Sequence, residues 1–117
     1  MISLALALAA ADPAPLSTAP FMDEPAAAKA FEAELLCLAH GAFDHVNDDK
    51  DAKLAAKEVN QSCHGESLTL RSALVDVFSR KRNLLPPQTT AEQAADLYVS
   101  QMNERTELVI EQGRRHR

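Results

Sequence analysis

Residues 37–63 read CLAHGAFDHVNDDKDAKLAAKEVNQSC, and this stretch decides the fold. It opens and closes on the only two cysteines of the chain. Its centre, Asn47-Asp-Asp-Lys-Asp51, is a cluster of turn-forming and N-capping residues. On either side the composition is Ala- and Leu-rich. Apolar positions recur three or four apart, the period of an amphipathic helix.

Before the turn, Phe31, Leu35, Leu38 and Ala42 form a bulky apolar stripe, and Ala26, Ala30, Ala33, Cys37 and Gly41 form a second stripe of small residues. After it, Ala52, Ala56, Val59, Cys63, Ser67, Leu70, Leu74 and Val77 keep one helical phase. Folding the two helices into an antiparallel hairpin with Cys37 opposite Cys63 makes facing positions sum to 100. Gly41 then faces Val59, Ala33 faces Ser67, Ala30 faces Leu70 and Ala26 faces Leu74. The midpoint falls at position 50, inside the turn. Agreement between cysteine spacing, turn position and periodicity is what a foldable sequence requires.

Working outward, the first helix is expected from Pro25, which suits a first helical position, to about Val46. Asp23 and Glu24 lie where negative charge complements the helix dipole. The second is expected from Asp51 towards Asn83 as one helix, since the apolar phase survives Gly65; the alternative is that Gly65 caps it, or kinks it, and Ser67 starts another. Leu85-Pro86-Pro87 ends it. Thr89 or Thr90, with Glu92 or Gln93, forms a capping box for a third helix that Gly113 stops after Gln112. The third apolar stripe is Ala91, Ala95, Tyr98, Met102 and Val109, flanked by Leu97 and Leu108. The expectation is an all-α protein, a small three-helix bundle with a disulfide-stapled antiparallel hairpin over residues 25–112 and a basic tail at 113–117.

Composition supports this. Of 117 residues, 46% are hydrophobic but only 4% aromatic, and three glycines leave too few turn residues for an all-β domain. Seventeen acidic against 12 basic residues give a net charge of −5, which argues against a nucleic-acid or anionic-membrane partner. Arg80-Lys-Arg82 and Arg114-Arg-His-Arg117 are basic clusters at helix ends.

Residues 2–11 form an uncharged apolar run, shorter than the roughly 20 residues a membrane-spanning helix needs. The run ends on Ala9-Ala10-Ala11, an A-x-A pattern, so residues 1–11 are expected to be a signal peptide cleaved before Asp12. No Lys or Arg follows Met1. Residues 12–24, rich in Pro and Ala, read as an extended linker. The expected destination is the periplasm or the exterior.

In such a compartment two cysteines pair, and a Cys37–Cys63 bond closing the intervening loop stabilises by about 3 kcal/mol in the chain-entropy account. The alternative is a metal site. Cys37 and His40 share a helical face with Asp44, and with Cys63 across the hairpin, and Asp44 or His64 as the fourth ligand, they make a tetrahedral zinc or copper set, although adjacent residues such as Cys63 and His64 point about 100° apart on a helix. A second alternative lies in residues 47–58, which match part of an EF-hand loop. Asn47, Asp49, Asp51 and Glu58 stand at positions 1, 3, 5 and 12, but Asn replaces the usual first Asp and Ala52 stands where glycine makes the turn. Otherwise that segment is an acidic helix start. Nucleophile elbow, phosphate loop, His-Glu-x-x-His and Cys-x-x-Cys are all missing from the sequence. No catalytic residue and no cofactor is therefore expected.

Phe31, Cys37, Asp49, Asp51, Ala52, Ala56, Val59, Cys63 and Glu66 together resemble a loose group of small exported alphaproteobacterial proteins that share a Cys-x25-Cys helical hairpin with a short acidic turn. The resemblance spans about residues 30–83. It implies an exported helical domain and carries no activity. The expected role is a protein-binding or envelope-associated accessory factor, with a periplasmic metal-ion binder as the alternative.

Overall fold

The computed structural model describes residues 21–116, and within them every regular element is helical. Helix α1 spans Pro25–Asp44, α2 Ala52–Ser62, α3 His64–Arg80 and α4 Ala91–Arg115, with a 3-10 turn at Arg82–Leu84. Pro25 occupies the first turn of α1 as its fixed φ predisposes it to do. Thr90 and Gln93 close a reciprocal capping box at the start of α4, satisfying two backbone N–H groups.

The expected second helix is two helices. The break falls at Cys63, which closes α2 and stands at the N-cap of α3 with φ −96° and ψ 13°. Gly65 lies inside α3 and nothing packs against it. The apolar phase runs on through the break: Val59, Cys63, Ser67, Leu70, Leu74 and Val77 are all buried. Periodicity alone therefore reads the pair as a single helix.

The disulfide Cys37–Cys63 is formed, with the Cα atoms 5.9 Å apart. One turn towards the acidic connector, a Cβ placed on Gly41 would meet Val59 Cγ1 at 2.5 Å, so the helices touch there backbone to side chain. On the other side of the disulfide the facing line moves over by one residue. Ala26 and Ala33 are exposed, whereas Ala27 and Glu34 are buried. The kink at Cys63 turns α3 onto an adjacent face of α1.

Helix α4 packs against the other three and completes the core. Phe78, Leu38, Leu70, Ile110, Val77 and Val109 are its largest fully buried apolar side chains. At one end Phe21, Phe78 and Tyr98 form an aromatic cluster with centroids 5.1, 5.1 and 6.0 Å apart. Phe21 is 5% exposed, so the fold reaches back at least to this residue, inside the span expected to be linker. Residues 1–20, which carry the expected leader and most of that linker, lie outside the described residues. Burial pushes the Tyr98 hydroxyl up to about 12, because a phenolate there would lose its hydration.

Gly113 does not stop α4. It sits within the last turn, where a Cβ would meet Val46 Cγ2 at 2.7 Å. Leu97 and Leu108 face solvent, and Ala94, Thr106 and Ile110 take the inward positions.

Candidate functional site

The acidic connector is held from α4. Arg114 donates to the His45 carbonyl at 3.0 Å, to Asp48 Oδ1 at 2.9 Å and to the Lys50 carbonyl at 2.7 Å. The expected basic tail thus begins as part of the fold. His45 Nδ1 lies 2.6 Å from Asp48 Oδ2, and this contact is the main reason the Asp48 carboxyl titrates below its usual range. Asp51 caps α2 by accepting from the backbone N–H groups of Lys53 and Leu54. Glu58 accepts from Lys50 Nζ at 2.6 Å. Since residues 52–58 are helical, the EF-hand register forms no loop, and two of its four side chains are committed to capping and pairing.

The cysteine-based metal set is likewise separated. Both thiols are consumed in the disulfide, and His40, Asp44 and His64 are exposed. Among the described residues no group of three or more His, Cys, Asp or Glu is arranged to hold a metal ion. Two cations of the basic run at the end of α3 are paired, Arg80 with Asp76 and Glu24, and Lys81 with Glu24 at 3.1 Å.

Among the described residues, two concave features bear on function. The larger is a shallow groove of about 870 Å³ between α2 and α4. Lys53, Lys57 and His64 form one wall, Glu104 and Glu107 the other, and Leu54 projects at 58% exposure. Its floor is fixed by Asn60, whose amide donates to the Asn103 carbonyl and accepts from the Thr106 hydroxyl at 2.9 Å. The side-chain oxygen of Asn103, in the same floor, is buried without a hydrogen-bond partner, and the walls supply the charge.

The smaller, of about 330 Å³, opens beside the disulfide and is bordered by Gly41, Asp44, His45, Glu58 and Ser62. Beyond the disulfide lies Glu34, one turn before Cys37, facing Ser67, one turn after Cys63. Glu34 is fully buried, and neither its carboxylate oxygens nor the Ser67 hydroxyl reaches a hydrogen-bond partner. Burial raises its pKa, and the charge of Glu66 adds to the rise. Glu34 is in helical phase with Ala30 and Leu38, which is the one signal in the sequence that marks it as inward.

Comparison with protein families, curated proteins and solved structures finds no match. No helix among the described residues is long and apolar enough to cross a membrane.

Proposed function

We propose that this protein is a small exported accessory factor that acts by binding another protein through the α2/α4 groove. The observation that carries the reading is the groove itself. It has an amide floor, a cationic wall of Lys53 and Lys57, an anionic wall of Glu104 and Glu107, and an exposed leucine. Opposed walls orient a segment bearing acidic residues on one side and basic residues on the other, and the exposed Leu54 adds apolar surface beside them. The disulfide supports an oxidising compartment. The apolar run at residues 2–11 and the resemblance to small exported hairpin proteins agree with it.

A photo-cross-linking side chain at Leu54, in the full chain expressed in cells, tests this. One discrete adduct is expected, lost on exchanging the wall charges with Lys57→Glu or Glu104→Lys and retained when the probe-bearing chain carries Ser79→Ala. The reading fails if no adduct forms at Leu54, or if the adduct is indifferent to both charge exchanges.

A further inference from the structure

We infer that a second copy of this chain closes over the α2/α4 groove about a two-fold axis running along it, so that the groove is shut in a weak homodimer. The inference rests on the reading of this groove as a protein-binding face, and it names what covers the face when no other protein does.

The helix directions make the groove self-complementary. Arg114, near the end of α4, bonds to the Lys50 carbonyl just before α2 begins. Asn60, near the end of α2, bonds to the Asn103 carbonyl and the Thr106 hydroxyl. The two helices are therefore antiparallel, and Lys57, one turn before Asn60, stands level with Glu107. The lysines that line the groove lie on α2 and the glutamates on α4. Turning a copy by 180° about an axis along the groove keeps each level and exchanges the walls. Lys57 of each copy then meets Glu107 of the other, and both pairs form at once, as an isologous interface requires.

These charges are available. Among the described residues, none of Lys53, Lys57, Glu104 and Glu107 enters an ion pair, whereas Lys50, Arg71, Arg80, Lys81 and Arg114 all do. Within one chain the groove holds the walls apart; a second copy brings opposite charge onto each. The face balances two lysines against two glutamates, so the net charge of −5 that keeps copies apart elsewhere is absent from it. Leu54 on α2 and Leu108, one turn after Glu104 on α4, are both exposed and add apolar surface at the rims. Helix α2 has 11 residues, a length of about 16 Å, which places the interface among the small, transient ones. Exposed ion pairs are individually weak, so the dimer depends on concentration and yields to a tighter partner.

Sedimentation equilibrium of the full, oxidised chain between about 1 μM and about 1 mM tests this. The expected result is a monomer–dimer equilibrium that weakens as salt rises. Lys53→Glu with Lys57→Glu makes both walls acidic, and Glu104→Lys with Glu107→Lys makes both basic. Each of these variants is expected to associate with itself at least about tenfold more weakly. An equimolar mixture of the two is expected to form a one-to-one dimer. The chain with all four exchanges keeps the net charge of −5 and is expected to dimerise as the wild type does. A monomer across the whole range overturns the inference. So does either two-charge variant associating like the wild type, or a four-exchange chain that stays monomeric. A monomer in this experiment leaves a Leu54 adduct to another protein intact, and a dimer here stands even where no such adduct forms, so the two readings fail separately.

Discussion

The three glycines of the chain all lie in helices, and the structure gives them opposite responses to alanine. In a helix interior Gly→Ala is worth about 0.5–1 kcal/mol of stabilisation from backbone entropy alone. At Gly65 nothing lies within 4 Å of the added methyl, so Gly65→Ala is expected to raise stability by about 0.5 kcal/mol. At Gly41 the methyl meets Val59 atoms at 2.5, 3.1 and 3.2 Å. Valine is stiff about χ1, and the disulfide one turn away prevents the helices from spreading. Overpacking of this kind costs about 1–3 kcal/mol. After the propensity gain is subtracted, Gly41→Ala is expected to destabilise by up to about 2.5 kcal/mol, at about 4–8 °C in Tm per kcal/mol for a domain of this size.

Urea denaturation under non-reducing conditions measures both variants. A double-mutant cycle isolates the contact, because in a Val59→Ala background the Gly41→Ala penalty should vanish. If Gly41→Ala stabilises as much as Gly65→Ala, or if the penalty persists in the Val59→Ala background, the helices do not face each other at these positions and the hairpin register is wrong.

Tyr98 is the only tyrosine, so tyrosinate absorbance reports it alone. It is expected to ionise near about 12, with stability falling as pH rises above the ordinary tyrosine value of about 10; a titration midpoint at the ordinary value in the folded state refutes its burial against Phe21 and Phe78. Glu34 has its folded pKa raised above the unfolded value of 4.5. Its contribution is complete below pH 4.5 and is lost as pH rises through the folded pKa, at a slope of up to about 1.4 kcal/mol per pH unit. Glu34→Gln is expected to abolish that slope and to be more stable than the wild type at neutral pH. Denaturation curves across this range that superimpose for the two proteins would place Glu34 in solvent.

Much of this architecture is legible in the sequence because three periodicities meet at one point. The Cys37–Cys63 pairing, the contact of Gly41 with Val59 and the turn at position 50 are one geometric statement, and the structure contains all three. What local pattern does not carry is direction. The phase from Val59 to Leu70 is uninterrupted, so nothing marks Cys63 as a corner, and the Ala26 and Ala33 pairings fail with it. Gly113 reads as a helix stop because glycine commonly ends helices, whereas its role here is to admit Val46 from the far end of α1. Phe21 looks like part of a proline-rich tether until Phe78 and Tyr98 are brought beside it. Of the candidate site, the cysteines are legible and the groove is not. Its walls come from α2 and from α4, and their approach depends on packing that no single segment encodes.

Export of the chain and its closure by one disulfide are tested most directly by intact mass spectrometry of the protein recovered from cells without reductant. The expected mass is that of residues 12–117 less two hydrogens, with no cysteine available to alkylation. A full-length mass with both cysteines alkylated contradicts both.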